Sequence, residues 1–421
     1  MKKSLAFMMI LLLFTAIVAG CGGSQPAAQN PPATTTPEPA PAPAPTPEPA
    51  PTPTPTPAPA PEPAPAGVPE LAADAAKRAD DAYAFIADLR QQASAYDPAA
   101  AQYRYILNCH DPAASAAGEF LYAWSDAVLV ATEGDVYIEV GVSNAFSTGG
   151  TMATLDEMIS GSIDFDWTLP CYFRGYMPLT LAIQNPALGI KNATVGSYAM
   201  WDLYKNDTNV QAEYANSGEL LFVWANNPSP LSYKGTAEIT SITDIRGNIR
   251  GNNGPAQMFI TQVGADIYGC PIGEVYPNVS TGVIDYLITD WHGIASFRLY
   301  EPGILNYYLD TNIGSSAYCL MANDGVWAEI TRNGYADAIK SVSGDYLLNL
   351  VGIWEAYEAS GRSNALDNGG TIYAPNTALA ADLEAAYDAV AQQWISETGG
   401  SAQAVYDQVV ELVNKYNRIY N

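Results

Sequence analysis

Arg250 ends a short apolar run inside SITDIRGNIRGNNGPAQMFITQVGADIYGCPIGEVYPNVSTGVIDYLITDW, residues 241–291, and is the side chain best suited to chemistry in this sequence. A guanidinium offers a planar fork of donors that matches a carboxylate. Arginine is also scarce here: 44 acidic residues face 18 basic ones, for a formal net charge of −26. Apolar runs and Gly/Pro punctuation divide the stretch into strand (247–250), helix (255–263), strand (266–268), helix (273–281) and strand (283–289). That is a βαβαβ unit. Ligands of open α/β sheets settle beyond the carboxyl ends of the strands, where loops and helix N-termini aim donors at a crevice. Arg250 sits at such an end and is expected to hold the carboxylate of a small organic acid. An inter-lobe ion pair is the other role open to it, for which Arg246 is the better candidate.

The groups an enzyme would need are sparse. The chain has two histidines, His110 and His292, and shows no HExxH, GxSxG or GxxxxGK[ST] pattern. GNNG from Gly251 is too short to cradle a phosphate. Asp164 and Asp166 stand two apart on one strand face, as paired acid–base carboxylates would, but acids beside strand ends commonly serve structure. Cys109 beside His110 lacks a third, orienting group. No enzyme activity or cofactor is expected, and without basic stripes no nucleic acid is expected. No cysteine or histidine shows metal-ligand spacing, with a metal-assisted carboxylate through Asp290 the one alternative left open.

The first residues speak to compartment. Lys2 and Lys3 precede an apolar run over 5–19 that is short for a membrane span and suits a secretory h-region. Val18-Ala19-Gly20-Cys21 follows the pattern of a bacterial lipobox, which would make Cys21 the acylated first residue of the mature protein. An ordinary signal peptide with a chance cysteine is the other reading. Residues 22–69 are nearly all Pro, Ala, Thr and Glu. Such a segment favours polyproline II at roughly 3.1 Å per residue, a stalk reaching on the order of 100 Å. The expected divisions are 1–21 leader and lipobox, 22–69 stalk, 70–102 helical extension, 103–225 with 316–352 as lobe I, and 226–315 with 353–421 as lobe II.

Within lobe I, strands are expected at 103–109, 136–142 and 163–169, with helices at 114–132 and 152–160 between them, a second βαβαβ order. Strands at 219–224 and 316–321 follow, then helices near 346–359, 378–396 and 403–416. Two such lobes facing each other make a cleft. Cys171-Tyr172-Phe173-Arg174 crowds aromatic side chains just past a strand end, which suits either core or a cleft wall. Cys109, Cys171, Cys270 and Cys319 either pair, with Cys109–Cys171 favoured, or remain as buried thiols.

Asp244, Gly247, Arg250, Gly264, Ala265, Glu274-Val275-Tyr276, Gly282, Asp285 and Trp291, followed by S-x-Y-x-L-M-x-N-x-x-x-W through Asn323 and Trp327, form an ordered set. With Gly118, Trp124, Gly134 and Gly161-x-Ile-Asp in the first lobe, the set resembles the substrate-binding protein of TRAP (tripartite ATP-independent periplasmic) transporters, dicarboxylate-binding type, over about 103–416. The resemblance implies two βαβ-type lobes of periplasmic-binding-protein style, hinge strands, a long bridging helix and an interdomain cleft. It implies a bidentate role for Arg250 and a place for Trp291 at the ligand, stacking or shielding, with core burial as the alternative. Trp224 stands where many members carry a second arginine, and Asn108, Trp167, Tyr172 and Phe173 are expected on the opposing wall. Asp290 would repel an anion unless protonated or paired with His292. The implied protein is a lipid-anchored, extracytoplasmic and monomeric receptor that passes a small carboxylate to TRAP permease subunits. A receptor for an ABC importer or a membrane sensor would use the same style of fold; a secreted hydrolase would need a constellation the chain does not display.

Overall fold

The computed structural model describes residues 71–252 and 254–420. The leader, Cys21 and the Pro/Ala-rich stalk lie outside the described residues. Among these residues, strands β1 (Tyr103–Asn108), β2 (Val136–Gly141), β3 (Phe165–Thr168), β4 (Glu219–Ala225), β5 (Leu231–Tyr233), β6 (Asn248–Arg250), β7 (Asp266–Ile267), β8 (Tyr286–Ile288), β9 (Tyr307–Leu309), β10 (Ala317–Ala322) and β11 (Thr371–Tyr373) make two sheets. The first has the order β2-β1-β3-β10-β4, the second β11-β9-β5-β8-β6-β7.

In the first sheet β1 runs parallel to β2 and β3, and β10 is antiparallel to β3 and β4. In the second, β6 is parallel to β7 and β8, while β5 is antiparallel to β8 and β9. The strands of the βαβαβ units are thus aligned so that their carboxyl ends face one crevice, as their hydrophobic spacing predicts. β10 is buried along its whole length and β4 at every residue after Glu219, which is why they read as apolar runs without alternation.

Two neighbouring segments carry the chain between the sheets, β4 to β5 and β9 to β10. They are laced together: Asn226 N donates to Ser316 O at 3.0 Å, Ser229 N to Gly314 O at 2.9 Å, and Ile313 N to Ser229 O at 3.0 Å. Gly314 needs to be glycine, since its φ is +83° and a Cβ there would collide with the Gln184 carbonyl oxygen.

Helix Gly352–Asp367 touches both halves. It packs on the N-terminal helix Ala75–Ala93 and on helix Ala116–Ala131 of the first half, and on the short helix Trp291–Ser296 of the second. Close approach is possible because two of its positions lack a side chain: a Cβ on Gly352 would strike the Arg78 carbonyl, and one on Gly361 would lie 2.5 Å from Trp291 O. Helix Thr377–Thr398 buries Leu379, Leu383, Tyr387 and Val390 in the second sheet's core. The last helix, Ala402–Ile419, departs from the expected lobe II: Val405, Val409, Val413 and Tyr416 enter the first sheet's core against helix Ala193–Asn206.

Of the alternatives for the cysteines, the structure has thiols: Cys109, Cys171 and Cys319 are buried and Cys270 is half-buried. Burial pushes the Cys109 and Cys319 thiols up. Among the described residues no helix is long and apolar enough to cross a membrane.

Candidate functional site

Five backbone segments converge between the sheets. β1 ends in Asn108 and delivers His110 and Asp111; β3 runs into a turn, Pro170–Phe173, that carries Tyr172. From the second sheet, β6 ends in Arg250, and β8 leads through Thr289 and Asp290 into helix Trp291–Ser296 with His292. Tyr318 comes from the start of β10, whose antiparallel direction puts its first residues at the same end. His110, Asp111, Tyr172, Arg250, His292 and Tyr318 line one inner cavity of about 20 Å³. That is room for about one water-sized group. It adjoins a wider cleft of about 800 Å³ whose lips are Met152 on one side and Ile272, Phe297 and Arg298 on the other. A molecule larger than a few atoms does not fit within the inner cavity as it stands.

Arg250 is 1 % exposed. Its Nη2 donates to Tyr172 Oη at 3.0 Å and its Nε to Cys270 O at 3.2 Å, both neutral acceptors. Nη1 is buried with no partner. None of the ion pairs among the described residues includes Arg250. The alternative role as an inter-lobe ion pair is not what the geometry has. A buried charge without a counter-charge is costly, by several kcal/mol even after relaxation. Here the cation has no counter-charge among its hydrogen-bond partners.

Two phenols aim protons into the same space. Tyr172 accepts from Arg250 and Tyr318 accepts from Asn226 Nδ2 at 3.0 Å, which leaves each hydroxyl hydrogen available to a ligand oxygen. Burial pushes Tyr172 up to about 12, and burial together with the Asp290 and Asp111 charges raises Tyr318 further, so both stay donors. Asn226 also donates to Asp290 and accepts from Ser316 N at 2.7 Å, tying the hinge to the site.

Asp290 caps the short helix, accepting from Gly293 N at 2.7 Å, and its Oδ1 lies 3.5 Å from His292 Nδ1. At that separation the pair is a charge contact more than a hydrogen bond. Burial acts to raise the Asp290 carboxyl, but His292, the Gly293 amide and Asn226 outweigh it and hold the acid low. Burial acts to lower His292, and Asp290 and Asp111 outweigh it, so the imidazole is raised. His110 goes the other way: burial lowers it, against the pull of Asp111 and with the help of His292 and Arg250.

The raised His292 gives a pH prediction. Its contribution to stability is complete below its ordinary value of 6.5 and is lost as pH rises through the higher folded-state value. The depressed Asp290 contributes above the ordinary carboxylate range and matters only in acid. Urea midpoints from about pH 6 to about pH 9 are expected to fall more steeply for the parent protein than for His292→Gln. Parallel pH profiles would refute the assignment.

Of the residues expected at the site, the structure brings Arg250 and Tyr172 together. Trp291 is turned away: it is 0 % exposed, lies against Tyr308 at 5.1 Å and under the Arg362 guanidinium at 4.7 Å. Asp290 caps the helix, so Trp291 is its first residue and points inward, while His292, about 100° further round, faces the cavity. Trp167 and Trp224 lie in a buried aromatic stack with Phe120 and Trp354, one layer below the cavity; Trp167 stacks on Tyr318 at 4.7 Å and so supports a lining residue. Phe173 is core, and Asn108 holds the loop after β2, accepting from Phe146 N at 3.3 Å and donating to Asn144 at 3.3 Å. Sequence reading assigns no site role to Asp111 or Tyr318, while Asn226 belongs to the amides that stand with Trp224 before the crossing between lobes. His110-Asp111-Pro112 directly after a strand is a usable signal for Asp111; Tyr318 is the tyrosine of the S-x-Y-x-L-M segment, but an apolar run alone assigns it no role at the site.

A second cleft, of about 810 Å³, opens beside Trp201, Lys340 and Asp345 on the first lobe. Its polar groups are already paired: Trp201 Nε1 and Lys205 Nζ donate to Asp345 at 2.7 and 2.9 Å, and Lys340 lies 2.7 Å from Glu219.

The family described as bacterial extracellular solute-binding protein, family 7, matches residues 109–398. No curated protein matches the chain. Among solved structures, a marine metagenome TRAP solute-binding protein specific for aromatic acid ligands, in complex with metahydroxyphenylacetate, superposes with a TM-score of 0.69 at 22% identity, over 75% of this chain and 99% of that one. A TRAP periplasmic solute-binding protein from Bordetella bronchiseptica with bound (R)- and (S)-mandelate gives 0.67 at 22% identity, over 74% and 99%. One from Rhodoferax ferrireducens with copurified benzoate gives 0.68 at 20% identity, over 76% and 99%.

Proposed function

This chain belongs to family 7 of the bacterial extracellular solute-binding proteins, and from that premise we propose that it captures a small organic acid between its lobes and delivers it to a TRAP permease. One observation carries the reading: the buried Arg250 guanidinium has only neutral partners and an unpaired Nη1. A carboxylate placed there gains charge-assisted hydrogen bonds of about 1.5–3 kcal/mol each. Tyr172 and Tyr318 add hydroxyl donors from the other lobe, so the anion itself links the two halves. Closure then favours the bound state, because the ligand interacts with both walls only when they meet. The bound aromatic acids of the similar solved proteins support an anionic ligand with an apolar body.

In this reading the permease is driven by an ion gradient, and the lipobox at Cys21 anchors the receptor outside the cytoplasm with the Pro/Ala-rich segment as spacer. Acyl chains contribute about 0.8 kcal/mol per buried CH₂, so more than one chain on Cys21 would hold the protein to the membrane durably. Native mass spectrometry of protein purified from cells is expected to find a small acid carried at one per chain, released unchanged on denaturation. A chemically altered product, or a cationic or neutral passenger, would overturn the proposal.

A further inference from the structure

We propose that the acid taken by this site carries a hydroxyl group, and that Asp111 is the residue that selects for it. The inference rests on the reading of Arg250 as the carboxylate anchor and adds the chemistry of the opposite end of the ligand.

Asp111 is 2 % exposed and lines the same cavity as Arg250. Its Oδ1 lies 3.6 Å from His110 Nε2, and its Oδ2 has no hydrogen-bond partner. Buried polar atoms are nearly always paired, so an orphan on a cavity wall calls for a ligand group. The cavity thus presents orphans of both kinds: Arg250 Nη1 requires an acceptor, Asp111 Oδ2 requires a donor, and the ring nitrogens of His292 are also without a hydrogen-bond partner. Arg250 and Asp111 both line that one cavity, together with Tyr172. A carboxylate with a hydroxyl on its body answers both at once.

The same geometry works against other acids. A carboxylate with a bare hydrocarbon body leaves Asp111 unpaired beside a second negative charge, whereas a hydroxyl gives the Asp111 carboxylate a donor; a site whose polar groups stay unpaired rejects the analogue that lacks the matching group. An ammonium would also satisfy Asp111, but it would share the cavity with Arg250 and with His292, whose charged form Asp290 and Asp111 favour. A hydroxyl adds a donor without adding charge.

Calorimetry with matched pairs tests this: propionate against lactate, phenylacetate against mandelate, benzoate against 3-hydroxybenzoate, with phenylglycine as the ammonium counterpart of mandelate. The parent protein is expected to bind the hydroxylated member of a pair about ten- to a hundredfold more tightly, the worth of a hydrogen bond to a charged group. Asp111→Ala is expected to bring the two members within about threefold and to bind the plain acid more tightly than the parent does, since a repelling charge is gone. Should Asp111→Ala fail to fold, Asp111→Asn keeps shape and an acceptor oxygen, and its preference is expected to shrink below about tenfold. Equal binding of every pair by the parent protein, a preference that survives in the variant, or phenylglycine ahead of mandelate would each overturn the inference. If acids bind and Arg250→Ala loses them while the pairs stay equal, the hydroxyl inference alone falls. If no acid binds, the anion reading of Arg250 falls with it.

Discussion

Arg250→Ala is expected to weaken binding of the carried acid by about ten- to a thousandfold. Losing charge-assisted hydrogen bonds accounts for about 1.5–3 kcal/mol, and a buried carboxylate left without its partner adds to that. Each 1.4 kcal/mol is about a factor of ten. The unliganded protein is expected to respond in the opposite sense. Arg250→Met keeps an apolar stem of similar length and removes a buried cation whose contacts are all neutral, so its stability should equal or exceed the parent's by up to about 4 kcal/mol. Calorimetry on both variants with urea unfolding beside it checks the two halves. Unchanged affinity in a folded Arg250→Ala protein would refute the anchor, and a large loss of stability in Arg250→Met would mean the arginine serves the fold instead.

Arg78→Ala is expected to cost about 3–5 kcal/mol of stability, the penalty for stranding one partner of a buried ion pair. Arg78 Nε and Nη2 lie 2.8 and 2.9 Å from the two oxygens of Glu355, with both side chains almost wholly buried. The remaining donors reach the Ala72 and Ala73 carbonyls, and Glu355 also accepts from Thr194 Oγ1 at 2.7 Å. The pair fastens the N-terminal helix to the bridging helix, three residues after the Gly352 crossing. Replacing both partners with methionine should recover most of the loss, because an apolar pair strands no charge. A urea midpoint for Arg78→Ala indistinguishable from the parent's would show that the N-terminal helix is an accessory and not part of the cooperative unit.

The helix expected over 70–92, within the 70–102 extension, shows how far local reading reaches. Its apolar spacing was plain, and residues 75–93 form it with Ala82, Ile86 and Leu89 buried. That it carries a buried arginine in register with a glutamate 277 residues later was not legible, because a contact of that separation leaves no local pattern. The three-residue strands β5, β9 and β11 were likewise missed. Periodicity needs several residues to declare itself, and these strands exist only because neighbours pair with them.

The site divides the same way. Strand, glycine and charge spacing alone led to two α/β lobes with a cleft at the strand ends and to Arg250 as its cation. Those properties are encoded by periodicity and by residue type, which act along the chain. Which of the flanking side chains face the cavity is settled by tertiary packing. Helix phase after the Asp290 cap turns Trp291 into the core and His292 toward the cavity. Layering of the aromatic stack puts Trp167 beneath Tyr318. The meeting of two sheets sets the orphan oxygen of Asp111 in the same cavity as the orphan nitrogen of Arg250. These are relations between residues distant in sequence, and only folding brings their charges and unpaired hydrogen bonds to one place.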